Sequence, residues 1–239
     1  MTTANEKNEK NEKNGENGVG GGTAPETARA LRALESDSAS VRLRAALAVG
    51  AAPDRGAVDK LVERCAVEPD FSVREMLTWA LTRHPSSTTV PRLLPEVRSG
   101  RARARSQALH TLSKIGDRRA WPAITPALLS DADDEVARSA WRAAVVLVPE
   151  GEEHALAVGL ATQLGRGGRE TRLSLSRALI ALGEAMPPVL AAARRHPDPE
   201  VRAHAAATER LWRDPDAGFE CAVEEAKRVV ALGGAGREE

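Results

Sequence analysis

The chain has no Tyr, only two Phe, and no apolar run approaching the roughly eighteen residues a membrane-spanning helix needs. Cysteine is scarce: Cys65 and Cys221 stand far apart, with no C-x-x-C and no spacing that would hold a metal ion. Both read as reduced, small hydrophobic residues. Net charge is absent as well. The 34 basic residues balance 34 acidic ones, so no overall field draws the chain to nucleic acid or anionic lipid. Charged binding has to come from local clusters. The N-terminus is polar and has no apolar core of a secretory signal. These absences set the expectation of a soluble, cytoplasmic protein with no membrane segment, no metal and no cofactor.

What is present favours helices. Ala, Leu, Arg and Glu dominate, all good helix formers, and runs rich in β-branched residues are few. Residues 1–22, with N-E-K three times in succession, contain nothing to bury and are expected to form a disordered tail. The run "GVGGGT" follows no strand and lacks the Lys of a phosphate-binding loop.

From about residue 25 the chain repeats itself. "VRLRAALAVG" (41–50), "VREMLTWALT" (73–82), "ARSQALHTLS" (104–113), "VARSAWRAAV" (136–145), "TRLSLSRALI" (171–180) and "VRAHAAATER" (201–210) start 30 to 35 residues apart. Counting each first residue as position 0, positions 0, 4, 7 and 8 form one apolar or small stripe of a helix. Position 1 is Arg42, Arg74, Arg105, Arg172 and Arg202, with Ala137 the exception. Asp70, Asp133 and Asp198 stand three residues before the stripe and can cap the helix; Arg101 and Gly168 break that pattern. A first helix precedes each of these, marked by Val58, Val90, Trp121, Leu156 and Met186. Three of these residues are followed by Pro, which suits a first helical turn.

The Asp turn, the Val-Arg pair and the Ala-x-x-Ala-Leu pattern resemble the HEAT repeat, in particular its short phycobiliprotein-lyase-like form. The resemblance implies an all-α, right-handed α-solenoid of the armadillo/HEAT type. It would hold about six helix pairs: 25–51, 56–84, 88–116, 119–149, 152–183 and 185–213. A capping helix at 217–232 would complete a solenoid spanning 23–233, with 234–239 a disordered tail. It also implies that the Val-Arg helices line a concave face, and that Asp and Arg bond between neighbouring repeats. Ala137 would leave the seam between repeats 3 and 4 without its Arg.

With positions 0, 4, 7 and 8 buried, positions 2, 6 and 9 face solvent. Position 6 reads Leu47, Trp79, His110, Arg142, Arg177 and Ala207, and position 2 includes Glu75 and Arg138. Glu75 and Trp79 therefore share the groove face. A basic stripe of Lys114, Arg138, Arg142 and Arg177 runs beside His110. Of the four Trp, Trp121 and Trp212 fall on buried columns, Trp141 on a boundary, and Trp79 opposite the core.

The leading reading is a non-catalytic scaffold or adaptor whose groove holds a partner protein or acidic peptide, with Trp79 as apolar anchor. A nucleic-acid cradle like that of the HEAT-type DNA glycosylases ranks second, because Glu75 and Trp79 echo a carboxylate with an aromatic. A lyase or hydroxylase of HEAT type ranks third. The hydroxylases use repeated His-Glu pairs, whereas His84, His110, His154, His196 and His204 are followed by Pro, Thr, Ala, Pro and Ala. No catalytic constellation is found, so the expectation is that the protein is not an enzyme.

Overall fold

The computed structural model describes residues 24–215 together with Val223 and Lys227, and within them every regular element is helical. The expected tails at 1–22 and 234–239 and most of the capping helix at 217–232 lie outside the described residues. The helices alternate in pairs: α1 (Ala24–Ala33) with α2 (Ala39–Ala51), α3 (Val58–Cys65) with α4 (Phe71–Thr82), and α5 (Ser86–Val97) with α6 (Ala102–Ile115). They continue as α7 (Pro126–Leu129) with α8 (Asp134–Leu147), α9 (Glu153–Ala161) with α10 (Arg169–Ala181), and α11 (Met186–Ala193) with α12 (Pro199–Arg213). Second helices pack in series from α2 through α12, and first helices pack α3 on α5, α7 on α9 and α9 on α11. This serial stacking is the α-solenoid that the repeats imply.

The core lies between the two layers. Val73, Leu77, Ala80 and Leu81 from α4, and Val136, Ala140, Ala143 and Ala144 from α8, are fully buried at positions 0, 4, 7 and 8. Small residues in the position 7 column, Ala80 and Thr111 among them, let neighbouring second helices approach closely. Polar side chains in that contact satisfy one another. The Gln107 amide donates to Thr78 Oγ1 at 2.8 Å, and Ser106 meets Ser139 at 3.1 Å. Asp70, Asp133 and Asp198 cap α4, α8 and α12 by accepting the backbone N–H of Val73, of Glu135 and Val136, and of Glu200. Where Arg101 and Gly168 replace Asp, the caps of α6 and α10 have no side-chain acceptor.

Several local expectations give way. Pro91 does not open a helix: α5 begins at Ser86 and holds both Pro91 and Pro95 inside. In repeat 4 the first helix is broken into a 3₁₀ segment, Arg118–Ala123, and the single turn α7. Thr125 precedes Pro126 and is driven to extended backbone (φ −95°, ψ 156°), which interrupts the helix. Trp141, expected at a boundary, is fully buried and donates its indole N–H to the Leu129 carbonyl of α7 at 2.8 Å. Trp212, expected on the buried stripe, is 39 % exposed.

Candidate functional site

The Arg column has a regular local purpose. Each Arg enters a second helix and folds back over the turn that leads into it, donating to carbonyls that no helix satisfies. Arg42 binds Ser36 O and Asp37 O, Arg74 binds Glu68 O and Pro69 O, and Arg202 binds His196 O and Pro197 O. Arg105 binds Ser99 O, and Arg172 binds Gly165 O and Gly167 O. For Arg74 and Arg202 this corrects the expectation of bonds to a neighbouring repeat, because the nearest free carbonyls belong to their own turns.

Three of the arginines also reach across a seam. Arg42 meets Glu68, Arg105 meets Asp131, and Arg172 meets Glu200. The cross-repeat acids are therefore not the capping Asp70, Asp133 and Asp198, whose oxygens are taken by their own helices. At the next seam the polarity is reversed. Repeat 4 carries Ala137 at position 1, and repeat 5 carries Arg166 where Asp131 stands one repeat earlier. Arg166 reaches back to Asp134, with Nε at 3.0 Å and Nη2 at 2.7 Å, and Thr171 Oγ1 donates to the other oxygen of Asp134 at 3.0 Å. The seam that Ala137 leaves open is thus that of repeats 4 and 5; the seam of repeats 3 and 4 keeps its bridge. Glu68, Arg166 and Asp134 escape a sequence reading that follows only the Asp and Arg columns. For Glu68 and Arg166 the signal is the residue five before each stripe, which reads Glu68, Asp131 and Arg166 in three of the repeats.

The outward column is uneven in what it offers. Leu47 and Trp79 are exposed, at 47 % and 38 %, on adjacent helices α2 and α4. Trp79 leans toward α2, where its ring lies so close to Gly50 that a Cβ there would fall 2.3 Å from Cζ3. Half of the indole is therefore packing and half is surface. Glu75 is half-exposed on the same helix and meets His110, Oε1 to Nε2 at 3.1 Å, at an angle outside hydrogen-bonding geometry. Burial lowers the His110 pKa, Glu75 opposes that effect, and Arg142 and Lys114 reinforce it. His110 is therefore neutral at neutral pH. Lys114 is exposed at the end of α6.

Arg138, Arg142 and Arg177 come together. They line a cleft of about 210 Å³ between α8 and α10, with Glu170 at its edge and Val145 and Leu173 as apolar walls. Arg142 is half-buried, and its Nη2 donates to Ser139 Oγ at 2.9 Å. Desolvation lowers its pKa, Arg138 adds to that effect, and Glu135 and Glu75 oppose it. Nε of Arg138 and Nε of Arg142 are both buried without a hydrogen-bond partner. Beyond the cleft the outward face closes. Ala203 and Ala207, at positions 2 and 6 of repeat 6 and expected in solvent, are buried in a small cluster with Leu173 and Val223.

Cys65 is buried in the core, and burial pushes its thiol up to about 12, so the thiolate that reaction or metal binding requires does not form. Among the described residues no three His, Cys, Asp or Glu side chains group as a metal site. No single helix there is long and apolar enough to cross a membrane.

A family model described as HEAT repeats matches residues 59–144. The match is to HEAT repeats as a class, not to the phycobiliprotein-lyase-like form. No curated protein matches the chain. HEAT repeats in general act as protein-interaction scaffolds.

Proposed function

We propose that this HEAT-repeat protein is a non-catalytic scaffold that holds an acidic segment of a partner protein along the outward face of its second helices. One observation carries the reading: three arginines converge on one cleft while two of their buried N–H groups lack a partner. A desolvated cation left unpaired is costly, and an incoming anion removes that cost. Trp79 and Leu47 supply an exposed apolar surface on the same layer, toward α2, where an aromatic anchor can dock.

Affinity capture from a native extract tests this, comparing the wild type with Trp79→Ala and Arg177→Glu. Arg177 is exposed, so its variant keeps helicity and melting temperature and loses partner capture by more than tenfold. Full retention of every partner by both folded variants excludes this face. The nucleic-acid reading is tested beside it with short duplex DNA: steep salt-dependent binding supports it, and weak, flat binding removes it.

A further inference from the structure

The turns that lead from each first helix into its second lie along one edge of the stack. Every seam is crossed there: Arg42 meets Glu68, Arg103 Nη1 donates to Glu68 O, Arg105 meets Asp131, Arg166 meets Asp134 and Arg172 meets Glu200. The four central turns of this edge differ in character. The second exposes Val67 at 47 % and Phe71 at 66 %, the most exposed large apolar side chain among the described residues. Its acids are occupied, Glu68 by Arg42 and Arg64 and Asp70 by its own cap. The third turn carries Arg98, Arg101 and Arg103, all exposed. Arg98 has no partner among the described residues, Arg101 lies 3.8 Å from Glu96, and Arg103 reaches only a carbonyl. The fourth turn exposes Asp133 and Glu135. Asp133 accepts only backbone N–H groups, and Glu135 lies 3.8 Å from Arg138. In the fifth turn Arg166 is held by Asp134 and Arg169 meets Glu170, while the exposed Gly167 and Gly168 present no side chain. Opposite charges thus stand on neighbouring turns, yet Arg98, Arg101 and Arg103 form no ion pair with Asp133 or Glu135.

We propose that this edge is a homodimer interface, on which a second copy of the chain docks about a twofold axis between the third and fourth turns. A polyanion that suits the third turn is repelled by the fourth, and a polycation meets the reverse. The edge therefore fits a partner whose charges run in the opposite order. A second copy turned by 180° is such a partner: it sets its fourth turn against the third and its third against the fourth, so one contact is made twice. The same rotation brings Val67 and Phe71 to the fifth turn of the other copy, where the bare backbone of Gly167 and Gly168 lets a ring lie flat. Burying the ring there removes the largest exposed apolar side chain from water. The interface lies at the N-terminal ends of the second helices and is independent of the groove reading.

Sedimentation velocity over a concentration series of the full chain provides the test. The wild type sediments as a reversible dimer that added salt weakens. Phe71→Ser raises the dimer dissociation constant at least tenfold and changes the melting temperature little, since the ring is exposed. Arg98→Glu with Arg101→Glu reverses the third turn, and Ala132→Lys with Glu135→Lys reverses the fourth while keeping the Asp133 cap. Each of these two variants alone is monomeric. Their equimolar mixture sediments as a heterodimer, because both symmetric contacts again join unlike charges. The chain with all four changes dimerises with itself. A wild type that stays monomeric at its highest soluble concentration, charge-reversed variants that dimerise as the wild type does, or a mixture that stays monomeric overturns the interface. A monomeric wild type whose captured partner is lost in Phe71→Ser gives the edge to a different polypeptide and overturns it too. Trp79→Ala and Arg177→Glu, which test the groove, leave the dimer intact.

Discussion

Arg42 and Glu68 meet as a two-pronged ion pair across the seam of the first two repeats, Nε to Oε2 at 2.8 Å and Nη2 to Oε1 at 2.7 Å, with both side chains buried. Arg64 adds a second guanidinium to the same carboxylate, and the Asp70 N–H donates to it. Every oxygen of Glu68 is thus engaged by a donor that another part of the fold positions. Glu68→Gln keeps the shape but strands two cations, one of them buried. It is expected to lower stability by about 3–5 kcal/mol, read as a fall in melting temperature.

Acid should weaken the fold in two successive windows that meet near pH 4. His204 is buried, its Nδ1 accepts the Gly165 N–H at 3.0 Å, and desolvation pulls its pKa from the usual 6.5 to about 4. The unfolded chain takes up this proton first, so stability is full above pH 6.5 and falls as pH drops toward 4. Burial would raise the Glu68 pKa, but Arg42, the Asp70 N–H and Arg64 outweigh it and hold the carboxyl at about 2, below the usual 4.5. Its contribution is present above pH 4.5 and is lost as pH falls toward 2. Each window is worth about 3 kcal/mol at 1.36 kcal/mol per pH unit. Chemical denaturation at pH 7, 5 and 3 reads both, and His204→Gln should flatten the upper one selectively.

The reversed seam of repeats 4 and 5 predicts two weak points that differ in cause. Asp134→Ala removes the partner of Arg166 and of Thr171 at a half-exposed site, at an expected cost of about 1 kcal/mol. Gly167 has φ +68°, and a Cβ there would lie 2.9 Å from Asp134 Oδ2 and from Thr171. Gly167→Ala should cost about 1–3 kcal/mol through backbone strain and crowding. In the double variant the crowding against Asp134 is gone, so the two losses in urea midpoint should add to less than their sum.

Gly50 and Trp79 form a matched pair. A Cβ on Gly50 would fall 2.8 Å from Trp79 Cε3 and 2.9 Å from Ala80 Cα, so turning the indole aside relieves only part of the clash. Gly50→Ala should lower stability by about 1–3 kcal/mol and make tryptophan fluorescence more accessible to acrylamide. The same packing means that Trp79→Ala is not silent for stability, although its position in the repeat points it away from the core.

The second helices and their buried stripe were legible from periodicity alone, because a core column cannot change sign without unfolding its layer. The N-caps were legible for the same local reason: Asp70, Asp133 and Asp198 act on backbone within three residues. What lay beyond reading were the bonds that join repeats. Nothing in a single copy says that Arg42 chooses Glu68 over Asp70, since both stand in one turn and only the seam decides. Trp141 lies deeper and Trp212 shallower than helix phase predicts, because burial at the edge of the stripe depends on what the neighbouring elements supply, as α7 supplies the Leu129 carbonyl to Trp141. In the outward column, His110 and Arg142 were legible as neighbours of the groove. Their desolvation follows from the closeness of α6, α8 and α10.

The reversed bridge at Asp134 also records the order of the units. In an array of similar segments each about thirty residues long, a growing chain can stack a repeat on the wrong neighbour. If the fourth repeat were skipped, Arg105 would face Arg166, guanidinium against guanidinium, in place of Asp131. If the second were skipped, Arg42 would meet Ser99 and lose its counter-charge. Only the encoded succession pairs each of these cations with an acid. The fourth repeat thus works as a register mark: an engineered array that deletes it loses Asp131 and Asp134 together and would have to turn Arg166 into an acid to meet Arg105.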